Sequence, residues 1–233
     1  MRIDSLDSLE AAALKCGILP FFPNNIKGLS VEEMCVPGML FGGNFDEGCW
    51  EWKGPVIRRH STAYGKFFRR KAGFVSLELL PDFLNYRRKT YPLSDDSTEQ
   101  LLLDIIREND GLTSTELKQY IFGGGETKRE WYQLPSIESV ADRPGKKKSI
   151  ESPLQRLQMG GWILISDFVY KRTRNGERYG WGVATYTTPE LNFRDSLHIP
   201  ADKTAEESLK KIIGHMRKSW PSASKEALLK LLK

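Results

Sequence analysis

Two β-prone runs, Ile163 to Arg172 and Arg178 to Thr187, meet around Asn175-Gly176, and no other feature limits the fold of this chain as strongly. Asn-Gly supplies the positive φ angles of a tight turn whose twist matches the flanking strands, so the pair marks a β-hairpin. What precedes it is helical. Leu101, Leu102, Ile105 and Ile106 form an i, i+1, i+4, i+5 stripe within Thr98 to Glu108, the pattern of an amphipathic helix with one buried side. After Asn109-Asp110-Gly111, Thr113 stands three residues before Glu116, as in a capping box, and opens a second helix that carries Leu117 and Ile121 and stops at Gly123. Ser149 or Ser152 then caps a third short helix, with Pro153 in its first turn, apolar Leu154, Leu157 and Met159, and an end at Gly160-Gly161. Gln155, Arg156 and Gln158 are expected to point away from its core side.

Three helices followed by a hairpin is the order of a winged helix-turn-helix module, in which the third helix enters the major groove and the hairpin tip touches phosphates or an adjacent groove. Arg156 on the third helix and Lys171, Arg172, Arg174 and Arg178 around the hairpin tip stand where those contacts need them. A winged helix used only for protein contacts is the alternative. The stretch 123–148, with Gly123 to Gly125, Pro135, Pro144 and the triplet Lys146, Lys147, Lys148, is longer than the roughly 15 residues usual for a connection, which makes it a functional flap or a disordered insertion.

Charge is distributed in blocks. The net formal charge is +5 over 233 residues, but it runs −5 for residues 1–52, +8 for 53–89, −6 for 90–140, +5 for 141–189 and +3 for 190–233. Clustered Lys and Arg are what a polyanion-binding surface requires. In the block from Trp50, bases and aromatics interleave: Trp50-Glu51-Trp52-Lys53-Gly54-Pro55, Ala63 to Lys71 and Asn85-Tyr86-Arg87-Arg88-Lys89. Nucleic acids favour that mixture, because bases stack on aromatic and guanidinium planes while cations neutralise phosphates. Arg58, Arg59, Lys66, Arg69, Arg70 and Lys71 are the candidate phosphate contacts of this block, with Gln155, Arg156, Gln158 and the four hairpin bases those of the second half. The competing reading makes the aromatics core residues, with Trp50 and Trp52 sharing one face of a strand, and the bases a solvated surface. A membrane surface ranks below nucleic acid, since Gly65 and Gly73 interrupt any helical stripe.

No apolar stretch approaches the roughly 18 residues of a spanning helix, and the first residues lack the pattern of a signal peptide. A cytoplasmic location is expected. Three cysteines (Cys16, Cys35, Cys49) without a C-x-x-C pair, and three distant histidines, argue against a structural zinc site, leaving the cysteines as buried small hydrophobes. Residues 5–16 form an opening helix. The tail, with Leu209, Ile212, Ile213 and Met216 on one face and Leu228, Leu231 and Leu232 after Ser222, forms a helical hairpin.

The segments Trp50-Glu51-Trp52-Lys53-Gly54-Pro55, Tyr64-Gly65-Lys66-Phe67-Phe68, Lys71-Ala72-Gly73-Phe74-Val75-Ser76, Asn85-Tyr86-Arg87-Arg88, Arg156-Leu157-Gln158-Met159 and Tyr179-Gly180-Trp181-Gly182-Val183-Ala184 resemble a group of bacterial proteins described as AlkZ-related, over most of residues 5 to 190. The resemblance implies bacterial origin, DNA contact and no metal or organic cofactor. The parent family is similar in being built of tandem winged helices that bind duplex DNA, and its active members are glycosylases that excise alkylated bases or unhook crosslinks. Those members carry an N-terminal Gln, aliphatic, Gln triplet that positions the attacking water. Here no glutamine precedes Gln100, so neither glutamine of that motif carries over. A catalytic role would fall instead to a carboxylate near the basic aromatic block. Glu51, between two tryptophans, is that candidate, because apolar rings around an acid desolvate it.

The expected architecture is therefore α+β: an N-terminal mixed basic-aromatic module over 1–92, a winged-helix module over 93–190 with its insertion near 123–148, and a C-terminal helical tail over 191–233. The expected partner is double-stranded DNA, damaged or distorted, with an active alkyl-base glycosylase and a non-catalytic protein scaffold as rivals. Enzyme status stays open.

Overall fold

The computed structural model describes residues 1–42, 47–93, 97–122 and 149–233. The insertion expected near 123–148, with Lys146 to Lys148, lies outside the described residues. Ser5 and Ser8 form a capping box that opens α1 (Leu6–Cys16), which buries Leu9, Ala12, Ala13 and Cys16 and ends where Gly17 adopts φ 71°. Strand β1 (Ile18–Pro20) follows, then the single turn α2 (Val31–Met34), capped by Ser30. Helix α3 spans Cys49–Arg58. Trp50 and Trp52 thus lie on a helix, not on the strand the sequence predicts. Gly54-Pro55 looks like a break, but Cys49, Lys53, Val56 and Ile57 recur at the helical period and are buried, and packing overrides the local signal.

Strands β2 (Thr62–Phe68) and β3 (Lys71–Ser76) complete an antiparallel sheet of order β1-β3-β2, with Ile18 opposite Val75 and Tyr64 opposite Phe74. Helix α4 (Leu80–Thr90) closes the first part. The second part runs α5 (Thr98–Glu108), β4 (Leu112–Thr113), α6 (Ser114–Phe122), α7 (Glu151–Met159), β5 (Leu164–Arg172) and β6 (Arg178–Thr187). Its sheet is antiparallel in the order β4-β6-β5. The capping box forms as its spacing predicts: Glu116 N–H donates to Thr113 Oγ1 (3.2 Å), and Thr113 N–H donates back to Glu116 Oε2 (2.7 Å). Helix α7 has no side-chain cap from Ser152. Its N-cap is Ile150, and Ser149 Oγ accepts from Glu151 N–H at 3.3 Å. A short helix α8 (Pro189–Phe193) leads to α9 (Ala205–Ser219) and α10 (Lys225–Leu232), the helical pair expected of the tail. Ser224, rather than Ser222, caps the last helix, because its side chain reaches the N–H of Ala227 (3.1 Å).

The two parts and the tail share one continuous buried cluster. Helix α7 packs on β2, β2 on β5, and α9 on α4 and α1. The tail is tied to the N-terminal part by polar contacts as well. Asn25 donates to Ala227 O (2.8 Å), Ser219 Oγ to Lys15 O (2.7 Å) and Asn85 to Ser208 Oγ (2.8 Å). Among the described residues, no helix is long and apolar enough to cross a membrane.

Buried Asp82 anchors this junction, receiving Lys211 Nζ (2.6 Å), Lys203 Nζ (3.1 Å) and Ser208 Oγ (3.1 Å). Burial pushes its carboxyl pKa up, but the two ammonium groups and the hydroxyl more than offset this, and the net shift is downward. Asp82→Asn is expected to cost about 2 kcal/mol in urea denaturation at pH 7, below the figure for a fully buried pair because both lysines are partly solvated. A lowered native pKa stabilises the fold above the unfolded value of about 3.9, and that contribution is lost as pH falls through the native value. The gap between native protein and variant should therefore persist from pH 7 to about 5 and close below pH 4.

Candidate nucleic-acid interface

The β5–β6 hairpin projects cationic and aromatic side chains from its tip and one face. The hairpin forms at Asn-Gly, but its loop is the three residues Arg174-Asn175-Gly176 between Thr173 and Glu177: Gly176 N–H donates to Thr173 O (3.0 Å) and Thr173 N–H to Glu177 O (2.8 Å), with positive φ only at Gly176 (84°), where the sequence pattern suggests a two-residue turn. Lys171, Arg172 and Arg174 are exposed, and among the described residues no carboxylate pairs with them. Arg172 Nη1 donates to Gly176 O (2.8 Å), which stiffens the tip without consuming the charge. Arg178 lies over the Tyr170 ring at 5.0 Å.

The register of the hairpin shifts between Val169 and Lys171. Val169 faces Val183, whereas Lys171 faces Tyr179, so β6 carries two extra residues there. Gly180 takes φ 73° within this bulge. Gly182 lies under the Tyr170 ring, where a Cβ would come within 2.8 Å of Tyr170 Cζ. Bulges re-aim side chains, and this one presents Trp181, 68% exposed, against Trp50 (ring centroids 5.7 Å) and Phe41 (6.3 Å). Phe41 is itself 53% exposed. Sequence reasoning did not single out these two exposed aromatics as a pair. The Tyr179-Gly180-Trp181-Gly182 pattern carried the signal, since glycines flanking an aromatic in a strand mark a bulge.

A second group gathers at α7. Arg69 and Arg70 form the two-residue β2–β3 turn with φ 48° and 67°. Each is in the left-handed region that costs a non-glycine residue about 1 kcal/mol. Arg70 lines a cleft of about 590 Å³ together with Gln155, Arg156, Tyr91 and Trp162. Exposed Arg156 is held by Glu99 of α5. Lys66, beside α7, is exposed, and Lys71 Nζ lies 3.4 Å from Pro23 O.

Other expected contacts have partners within the protein. Gln158 does not point outward. It is buried, donates to Leu154 O (3.3 Å) and accepts from Lys66 N–H (3.0 Å), because α7 rests on β2 along that side. Arg59 is held by Asp7 (2.8 Å) and Glu10, and Arg58 pairs with Asp167 (2.6 Å). Of the basic run near Tyr86, Arg87 is fully buried and donates to Phe67 O (2.6 Å). Arg88 pairs with Glu190 (2.6 Å) and covers Trp162. Lys89 donates to Lys203 O.

Glu51 lies on α3, half-buried, and accepts from Tyr170 OH (2.5 Å). Burial, and then Glu51 itself, push the Tyr170 phenol up, so it remains the donor. Both line a small cleft of about 260 Å³ with Arg58, Asp167 and Arg178. Next to it Lys53 is buried between the rings of Trp50 (4.1 Å) and Phe168 (4.4 Å), donating to Trp50 O, and burial pulls its pKa down to about 8. The cysteines are free. Cys16 and Cys49 are buried, and the Cys35 and Cys49 sulfurs approach to 2.7 Å. Among the described residues, no three His, Cys, Asp or Glu side chains gather as metal ligands would.

Taken together, the described residues make an α+β protein with two small antiparallel sheets, one ending in a basic, aromatic hairpin. The chain belongs to the AlkZ-related family, whose model matches residues 3–233. Among solved structures it is similar to the Streptomyces sahachiroi DNA glycosylase AlkZ, at 12% identity and a TM-score of 0.45, with 99% of this chain and 65% of that chain covered. It thus spans just under two thirds of that protein's length. No match is found among curated proteins.

Proposed function

We propose that the protein binds double-stranded DNA, and distorted or damaged DNA in particular, through a winged-helix module over 93–190 in which α5, α6 and α7 carry the β5–β6 wing. In this reading residues 1–92 form the basic-aromatic module and 191–233 the brace. The observation that carries the proposal is the hairpin tip, where Lys171, Arg172 and Arg174 stand exposed without a carboxylate partner among the described residues. Phosphate binding needs such clustered, unneutralised cations. Membership of the AlkZ-related family supports the choice of DNA. The convergence of Lys66, Arg70, Gln155 and Arg156 near α7 supports a second phosphate-contacting group, with Arg69 and Lys71 beside it. The strained Arg69-Arg70 turn fits this role, because residues held in unfavourable φ cluster at functional sites. Gln158 drops out of the interface because it is buried, whereas Arg58 and Arg59, like Arg156, lie at the surface in ion pairs for which a phosphate would have to compete. The test is duplex binding, by anisotropy, as a function of salt.

One observation favours a second reading. Glu51 and Asp167 line the same cleft at the base of the wing, with Arg58 and Arg178 beside them. A glycosylase would use Glu51 to orient water against the sugar. Because Glu51 is already engaged by Tyr170 and no glutamine pair accompanies it, the expected result with alkylated duplex is no abasic site, read as no strand break on treatment with hot alkali. Alkali-dependent scission after incubation with the native chain that falls at least about 100-fold in Glu51→Gln would establish the enzyme instead.

A further inference from the structure

We infer that Trp181 and Phe41, backed by Trp50, form a stacking site for an unpaired nucleobase, with the wing cations holding the phosphates on either side of it. The inference rests on the DNA-binding reading and narrows it to a substrate class: duplexes in which a base has lost its partner or its stacking. Exposed large aromatics in contact with one another are uncommon on a soluble surface and mark binding sites. Here the exposure is built into the backbone. The two extra residues of β6, with Gly180 at φ 73° and Gly182 making room for Tyr170, set Trp181 outward against Trp50 and Phe41.

The rings beneath fix its position. Trp50 packs edge-on to Trp181 (interplanar angle 87°) and to Phe21 (89°), so the exposed indole stands on a chain of rings that reaches the core. A rigid aromatic that need not reorder on binding loses little entropy. Charge decides between occupants. Arg178 lies three residues from Trp181 in the same strand, and Lys171, Arg172 and Arg174 continue the same hairpin toward its tip. An apolar protein partner has no use for four cations on the hairpin that carries Trp181, whereas a base flanked by phosphates matches both features.

The experiment uses the full chain and two duplexes of identical sequence, one intact and one with 2-aminopurine opposite an abasic site. Binding is read by anisotropy and stacking by quenching of 2-aminopurine. Native protein is expected to prefer the abasic duplex by about tenfold, which is about 1.4 kcal/mol and within the range of one base stacked on an aromatic side chain. Trp181→Ala should remove that preference and the quenching while leaving intact-duplex affinity and its salt slope unchanged. Trp181→Phe should retain most of both, and Phe41→Ala should fall between. Equal binding of the two duplexes by native protein overturns the stacking site while leaving the wing reading intact. Loss of intact-duplex binding in Trp181→Ala overturns it too, by making Trp181 a general support of the wing. A native chain that binds neither duplex overturns both readings. Concentration-dependent association abolished by Trp181→Ala, without any duplex preference, overturns it in favour of a second copy of the chain.

Discussion

Changing Lys171, Arg172, Arg174 and Arg178 together to alanine is expected to flatten the salt dependence of duplex binding by about three to four in log K against log salt, roughly 0.9 for each phosphate no longer neutralised. Between about 50 and 200 mM salt the native protein should then lose about 10²-fold more affinity than the variant. The magnitude depends on how many of these cations displace counterions from DNA, and three of them are exposed with no carboxylate ion-paired to them among the described residues. Arg178 differs, because it also covers the Tyr170 ring. A triple variant that keeps Arg178 separates the two roles. It should keep the packing around Tyr170 and reduce the slope by about three. The hairpin is fixed by its turn and ladder hydrogen bonds, so circular dichroism and thermal midpoint should be close to native in the triple variant. Equal slopes for native and quadruple variant, or no native binding at low salt, would remove the wing from the interface.

The second large effect concerns stability. Arg87 is fully buried, and among the described residues no carboxylate pairs with it. Its guanidinium lies near the rings of Phe83 (5.2 Å), Tyr91 (5.6 Å) and Tyr86 (6.0 Å), and one amino group donates to Phe67 O. Burial lowers its pKa, with the tyrosines opposing. Among the described residues, Nε and Nη1 have no hydrogen-bond partner. Two costs compete at this position: the desolvation of a cation and the space its side chain fills. Arg87→Ala removes the cation but leaves a cavity among aromatic rings, and is expected to destabilise the fold by about 3 kcal/mol. Arg87→Met fills most of the space without charge and should lie within about 1 kcal/mol of native, on either side. Urea midpoints at constant m-value distinguish them. If methionine costs as much as alanine, the guanidinium's interactions with the rings and Phe67 O outweigh its desolvation.

This arginine also shows where the sequence was legible and where it was not. Features written in local chemistry form as expected: the Asn-Gly hairpin, the Thr113 and Glu116 box, the α5 stripe and the tail pair. Each is decided within a few residues by φ preference, capping or periodicity. The reading of Trp50 and Trp52 as one face of a strand failed because two aromatics two residues apart fit that alternation, while the burial that makes the segment helical comes from α1 and β5, far along the chain. The candidate interface divided in the same way. Bases at turns, namely Arg69, Arg70 and those of the β5–β6 hairpin tip, stayed on the surface. Of those on α4, Arg87 is buried among rings and Arg88 is held against Glu190, whereas Arg59, just past the end of α3, and Arg156 on α7 stay at the surface in ion pairs. Composition counts charge but cannot tell a cation facing solvent from one stacked beneath an aromatic, since the partner ring or acid is supplied by a distant segment. Gln158 was misplaced for the same reason, because β2 covers a side of α7 that the helical pattern alone leaves open.

The stitching of the tail to the first part has a temporal consequence. Asn25 waits for Ala227, 202 residues later, and Lys15 waits for Ser219. At the usual rate of about 5 to 20 residues per second, a ribosome needs roughly 10 to 40 s to make that interval. Throughout it, the surfaces of α1 and α4 that α9 will cover stand open on the nascent chain. The first sheet cannot reach its final protection when its own strands are finished, and it should mature together with the later elements only once α9 and α10 have been made. Pulse proteolysis of stalled nascent chains would place that step.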